Sequence, residues 1–254
     1  MTHSIDRNDP FDVARLYKYL RVTDVADAMD GIGYFDIGLM DREVRPLWLG
    51  MKFWGPALTF RCVPANRPMW KLNTTEEIVH DHAAWYDVVK TPLNIGAVGR
   101  LVQPGHVIVQ DCAESPETGY WGSNSAMAMI ANGAVGIVTD GECRDTYEVC
   151  LQKTPVCCRG YARTIIPGRT MEVEAQVPIG CGGVRVDAGD MVGCDDDGVI
   201  VVPQDVAAEV AEHARAVLLA DMQSRKRLYE QLGLPKDETV DIETVEAYYA
   251  RFSQ

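Results

Sequence analysis

An arginine and an aspartate stand side by side at the end of the loop Thr139-Asp-Gly-Glu-Cys-Arg144-Asp145, and a run of small polar residues, Gly122-Ser-Asn-Ser125, opens the segment before it. A lone carboxylate surrounded by water suits magnesium, which prefers hard oxygen ligands and gives up its waters reluctantly. A planar guanidinium offers paired donors to an oxyanion such as an enolate. Free backbone N–H groups at a helix start, here over Ser123 to Ser125, are a natural seat for a carboxylate. Adjacent opposite charges are also common in solvated loops, so taken alone the pair leaves both readings open. Lys71, Lys90 and Lys153 lie in no recognisable Schiff-base motif. His80 and His82 flank Asp81, but helical positions two apart face different sides, so joint ligation would need extended backbone. One exposed and one hydrogen-bonded histidine is the plainer expectation. His106 and His213 read as structural. Asp195-Asp-Asp197-Gly198 lacks the later glutamate of an EF-hand loop and reads as a turn entering a strand. Asn73-Thr-Thr75 matches a glycosylation sequon and is taken as incidental.

The elements around these residues follow from periodicity. Ser123–Asn132 has small residues, a capping start and an Asn132-Gly133 stop, which predicts a short helix. Ala134–Val138 is an apolar run short enough for a buried strand, and the loop Thr139–Asp145 leaves its carboxyl end, where ligands bind in α/β sheets. Gly105–Asp111 reads as another strand entered from Pro104-Gly105. Upstream, Phe11–Met29 has helical spacing, with a possible restart at Thr23, and Asp30-Gly31 stops it. Phe53–Val63 reads as β-structure broken at Gly55-Pro56. Downstream, Val184–Pro203 predicts three strands joined by turns. Gln204–Lys226 predicts a long amphipathic helix with acid near its start and base at its end, and Asp241–Phe252 one more helix.

Composition bounds the class. The 254 residues are 47% hydrophobic and 24% charged, as in ordinary globular proteins. No stretch approaches the ~20 apolar residues that span a bilayer. The opening Met1–Pro10 lacks the apolar run of a secretory signal, so a cytoplasmic location is expected. Eight cysteines without a close Cys-x-x-Cys pair argue against zinc and against a disulfide scaffold, and read as mostly buried small apolar residues. A net charge of −13, without a basic run, repels phosphate backbones and argues against nucleic acid as a partner.

The order and spacing of Gly122-Ser-Asn, of Gly133-Ala-Val-Gly-Ile-Val-Thr-Asp-Gly-Glu-Cys-Arg-Asp145 and of Gly189-Asp-x4-Asp-Asp-Asp-Gly-Val-Ile-Val-Val-Pro203 resemble the RraA-like family. That family holds ribonuclease E activity regulator A and 4-hydroxy-4-methyl-2-oxoglutarate aldolases. Val22–Gly33, Arg45-Pro46 and Gly55–Thr59 look like its amino-terminal helix and first strands. The catalytic domain is expected over residues 11–215, with 64–93 a divergent insertion and 216–254 a C-terminal helical extension. The resemblance implies an α/β fold, a β/β/α sandwich like the swivelling phosphohistidine domain, assembled as a homotrimer or dimer of trimers with sites between subunits. It implies that Asp145 holds magnesium or manganese and that Arg144 contacts the keto oxygen or carboxylate of a pyruvyl substrate. Backbone amides of Gly122, Ser123, Asn124 and Ser125 would hold the substrate carboxylate. The implied activity is a divalent-metal-dependent lyase, retro-aldol or decarboxylating, on a small 2-keto or hydroxy acid. The alternative is a non-catalytic regulator of the ribonuclease E type. One departure matters: aldolase-like members carry an acid where this chain has Ser123, and serine is no general base near neutral pH without an activator. Decarboxylation, which needs enolate stabilisation and reprotonation, suffers less from that loss.

Overall fold

The computed structural model describes residues 4–66, 68–80, 95–112 and 117–252. The strands in chain order are β1 (Arg45–Pro46), β2 (Phe53–Pro64), β3 (Val107–Asp111), β4 (Gly119–Trp121), β5 (Gly136–Thr139), β6 (Glu142–Cys143) and β7 (Val156–Cys158). They continue with β8 (Gly160–Tyr161), β9 (Thr170–Ala175), β10 (Ile179–Cys181), β11 (Val184–Val186), β12 (Met191–Asp195) and β13 (Gly198–Val202). The helices are α1 (Pro10–Ala14), α2 (Val22–Gly31), α3 (Thr75–His80), α4 (Ile95–Leu101), α5 (Ser123–Ala131), α6 (Thr146–Leu151), α7 (Ala207–Leu232) and α8 (Ile242–Tyr249). Asp81 and His82 lie outside the described residues, so the paired-histidine expectation has no structural counterpart here.

One mixed sheet organises the molecule, in the order β1-β7-β5-β3-β2-β12-β13, with β9 also on β2. β2, β3, β5 and β7 run parallel, and β12 and β13 return as an antiparallel hairpin. The sheet nearly closes into a barrel: from one edge, Arg45 of β1 donates to the Asp197 carbonyl at 2.7 Å, in the turn entering β13 at the other edge. The Asp195–Gly198 segment is thus the hairpin turn expected of it.

Alternation along the strands divides the core. Val107, Val109, Val138, Val192 and Val201 fill the interior with Phe53 and Met51. Ile108, Ile137, Leu58 and Phe60 point outward, under Ala126 and Met129 of α5 and Val149 of α6. On the far side, α2 and α7 pack with α8 over Met191, Ile200 and Val202. α7 runs unbroken through residues 215 and 216. No helix among the described residues is long and apolar enough to cross a membrane.

Two local expectations are corrected. β2 is not broken at Gly55-Pro56: Pro56 stands one residue before the parallel ladder to β3 begins at Ala57↔Val107, so its missing N–H leaves no gap there. Gly55 is required by close approach, since a Cβ would collide with the Gly105 carbonyl. The helical stretch Phe11–Met29 is two helices with a 3-10 turn and a break; the second starts at Val22, where the Asp24 carboxylate accepts the Arg21 N–H at 2.9 Å. Six of the eight cysteines are buried, as expected, and two of them, Cys157 of β7 and Cys194 of β12, meet in the barrel interior. The strands that flank them are distant in sequence and meet only through the barrel.

Candidate functional site

The Arg144–Asp145 pair leaves a three-stranded sheet, β4-β6-β8, that sits beside the barrel. The region expected as a plain loop contains β6, whose two residues pair with β4 and β8. Trp121 and Cys143 turn into the core, and the Trp121 carbonyl accepts the Arg144 N–H at 2.8 Å. Asp140 supports the preceding turn: its carboxylate accepts the N–H of Cys112 at 2.9 Å and of Gly182 at 3.2 Å. Burial nevertheless pushes its pKa above the ordinary carboxylate range.

Asp145 caps α6 from a left-handed backbone conformation, φ 54° and ψ 37°. Few residue types visit that region, and aspartate is among the more tolerant. The turn throws its side chain back toward the start of α5. There Oδ2 accepts the Ser123 N–H at 3.2 Å, and Oδ1 accepts Arg144 Nε at 3.2 Å. Both side chains keep about a third of their surface in solvent, 34% for Arg144 and 35% for Asp145. Gly122 makes this approach possible, because a Cβ there would stand 2.6 Å from Asp145 Oδ2. At Gly119 an added Cβ would meet the Thr164 carbonyl at 2.7 Å first and the Arg144 Cγ at 3.0 Å next. The two glycines make the cradle into which the pair fits.

The start of α5 is shaped as the sequence suggested. Ser125 Oγ accepts the Gly122 N–H at 3.0 Å, closing the first turn on itself. No acceptor among the described residues takes the N–H of Asn124 or Ser125, so these two amides point outward from the helix start. Ser123 is buried, at 8% exposure, and Asn124 is exposed. The structure therefore brings Gly122, Ser123, Asn124, Ser125, Arg144 and Asp145 to one place, although they come from two separate loops.

One residue escaped sequence reasoning. Glu142 lies between two glycines across the small sheet, register-paired with Gly119 and Gly160. Register partners present the same face, and Arg144 crosses over Gly119 on that face. Glu142 and Arg144 thus share a side of the sheet. The Glu142 Oε2 atom is buried without a hydrogen-bond partner, and desolvation, aided by the charge of Glu117, pushes the Glu142 pKa up. No spacing rule in the sequence marks it, because its setting depends on glycines 23 and 18 positions away.

Among the described residues no three His, Cys, Asp or Glu side chains form a protein-only metal cage. The donors present fit a hard cation that keeps most of its waters: one carboxylate, held by two hydrogen bonds in a glycine-lined cradle that a single Cβ would fill.

A nearly closed mixed barrel with a glycine-cradled Arg-Asp pair at a helix start defines a class that comparison with known proteins identifies. The RraA-like family model, Aldolase/RraA, matches residues 22–201, and the chain belongs to that family. Protein DlpA of Legionella pneumophila is 29% identical over 199 residues, 78% of this chain and 28% of its own length. A putative 4-hydroxy-4-methyl-2-oxoglutarate aldolase of Halalkalibacterium halodurans is 34% identical over 126 residues, 49% of this chain and 58% of its own. The matches thus span less than two thirds of these relatives. Among solved structures, Streptomyces coelicolor RraAS2, described as an unusual member of the RNase ES inhibitor RraA family, superposes with a TM-score of 0.67 at 27% identity, over 84% of this chain and 96% of its own. A Pseudomonas syringae protein superposes at 0.65 with 25% identity, over 96% of this chain and 99% of its own, so the terminal helices have a counterpart there.

Proposed function

We propose that the chain is a divalent-metal-dependent carbon–carbon lyase that acts on a small 2-keto carboxylate, with Asp145 as the protein's metal ligand. The observation that carries this reading is the cradle: two glycines give up their side chains so that Asp145 and Arg144 can face the open amides at the start of α5. A surface ion pair without a task needs no such accommodation, and exposed pairs contribute little to stability. Family membership and the aldolase relative support the same class.

A magnesium or manganese ion at Asp145 would supply Lewis acidity toward the 2-keto group. The chain's own residues account for the rest. The Asn124 and Ser125 amides, at the positive end of the α5 dipole, seat the substrate carboxylate. The terminal nitrogens of Arg144, which have no partner among the described residues, face the oxygen that gains charge as the C–C bond breaks. In decarboxylation the electron pair of that bond passes into the enolate and carbon dioxide leaves. A proton then arrives at the carbon that lost it, and Glu142 is the nearby carboxyl suited to hold that proton. The test is turnover of oxaloacetate by the protein stripped of metal and then reloaded. Activity should vanish with the metal and return with magnesium or manganese, and Asp145→Asn should lose both the turnover and the metal response. Equal turnover with and without metal would overturn the assignment. Absence of turnover alongside capture of a ribonuclease would favour the regulatory alternative, for which the likeness to RraAS2 speaks.

A further inference from the structure

At the amino ends of the parallel strands, away from the Arg144–Asp145 pair that follows their carboxyl ends, lies a hollow of about 470 Å³. Its volume is in the range of a small-ligand site. Phe53 opens β2, Gly105 precedes β3 and Val135 precedes β5, and all three line it. The rings of Phe11, Trp54 and Tyr248 supply aromatic wall, with Trp54 backed by Tyr17 at 4.8 Å. Three cations, Arg15, Lys18 and Lys52, reach the hollow, and no acidic side chain among the described residues does. In a chain of 24 basic and 37 acidic residues, that reverses the overall sign. Arg15 is matched by Asp12 at 3.0 Å. Lys18 and Lys52 are both exposed and stand in no ion pair among the described residues. Both bear on Tyr19: Lys52 Nζ donates to its carbonyl at 2.9 Å, and Lys18 Nζ stands 5.4 Å from the centre of its ring. Lys18 Nζ also stands 4.7 Å from the centre of the Tyr248 ring. The carboxylates that act on Lys52 from beyond ion-pair distance, Asp195 and Asp24, are engaged elsewhere. Asp195 accepts the N–H groups of Val22 and Asp197, and Asp24 pairs with Arg21.

We propose that this hollow is a second binding site, separate from the Arg144–Asp145 site, for a phosphate monoester with an aromatic body. Two ammoniums without a carboxylate match the charge of a phosphate dianion, which lysine binds as a point charge, whereas a monocarboxylate would answer only one of them. The rings of Phe11, Trp54 and Tyr248 offer flat or edge-on contact to the organic part of the ester, which inorganic phosphate lacks. Exposure of the lysines suits a ligand that enters from solvent, because a local positive patch collects an anion that the rest of the chain repels. Phe11, Lys18 and Tyr248 lie outside residues 22–201, which the family model matches, so the site stands partly on elements that the family does not define. It does not rest on the lyase reading.

Calorimetric titration of the full chain with phenyl phosphate tests this, at low salt and near pH ~8, where the phosphate is a dianion. Inorganic phosphate and phenol serve as the two halves of the probe. Saturable binding at one site per chain is expected, with each half weaker by about tenfold or more. Lys18→Gln and Lys52→Gln should each weaken phenyl phosphate by about threefold and together by about tenfold, the scale of exposed charge pairs. Binding should also weaken as salt is added. Lys236→Gln, which removes an exposed cation elsewhere, and Arg144→Lys should leave the affinity unchanged. Both lysines of the hollow are exposed, so the double variant should keep its fold, which thermal unfolding checks; the two half-probes decide on the unmodified protein in any case. No saturation at millimolar phenyl phosphate, equal affinity for either half, an unchanged double variant, or loss of binding in Arg144→Lys would each overturn the proposal.

Discussion

Replacing Gly122 by alanine should separate the site from the scaffold. The backbone there is extended, φ −120° and ψ 173°, a conformation any residue adopts, so the substitution strains nothing locally. The difficulty is the new Cβ, which would stand 2.6 Å from Asp145 Oδ2, where ordinary contact begins near 3.4 Å. The carboxylate must retreat by roughly 0.8 Å and its bond from the Ser123 N–H must lengthen or break. A misplacement of about 1 Å in a reacting constellation can cost on the order of a hundredfold in rate. Losing one partly exposed hydrogen bond costs about 1 kcal/mol, which in a domain of this size moves Tm by only about 2–4 °C. Oxaloacetate turnover at saturating magnesium, measured beside thermal unfolding, should therefore fall about 30- to 100-fold while the fold survives. If kcat/KM stays near wild type in Gly122→Ala, the position of the Asp145 carboxylate does not matter to the chemistry and the reasoning fails.

Arg144→Lys keeps the charge but loses the planar donors, and should lower kcat by about a hundredfold to a thousandfold with a Tm change equivalent to less than about 0.5 kcal/mol. A large stability loss with kcat intact would make Arg144 structural. Glu172 is buried with Oε1 unpartnered, and desolvation raises its pKa, so the folded state holds a proton that the unfolded state releases more readily. Stability from this group is full below the ordinary carboxylate range and is lost as pH rises through the raised pKa. Glu172→Gln should accordingly raise the denaturation midpoint near pH 8 and flatten its decline above pH 5. An unchanged pH profile would show that Glu172 does not set it.

What was legible in the sequence follows from how local each constraint is. The helix after Gly122, the strand Gly136–Thr139 and the Arg-Asp pair are written in contiguous residues, and they formed where expected. The cradle was legible only as a glycine pattern; that Gly119 and Gly122 yield space to Arg144 and Asp145 is a relation across about 25 positions. β6 and β8 have two residues each, too few to show a period, so the small sheet read as loop. Gly55-Pro56 read as a break because local rules see a missing N–H but not which neighbour would have needed it. The meeting of Cys157 with Cys194 depends on barrel closure across 37 positions, and no local rule reaches that far.

On the lyase reading proposed above, Ser123, where the resemblance places an acid in aldolase-like members, and Glu142 favour one reaction direction. Retro-aldol cleavage begins by removing a proton from a hydroxyl, which demands a base that is ionised at working pH. Decarboxylation asks instead for a proton to be delivered after carbon dioxide has gone. Ser123 offers no base, while desolvation and the charge of Glu117 raise the share of Glu142 that carries a proton to donate. Oxaloacetate should therefore be turned over with a higher kcat/KM than a 4-hydroxy-2-keto acid. Its rate should decline as pH rises through the Glu142 pKa, because the proton-bearing form is depleted. Glu142→Gln should lower kcat more than it raises KM, by about a hundredfold at most for a general acid, and should remove that alkaline decline. Both rates and the pH limb are measured on one preparation, with binding of a pyruvate analogue as a check that the site is intact. A Glu142→Gln protein that keeps the alkaline limb would assign the proton to another group, and faster retro-aldol than decarboxylation would place an unrecognised base in the site.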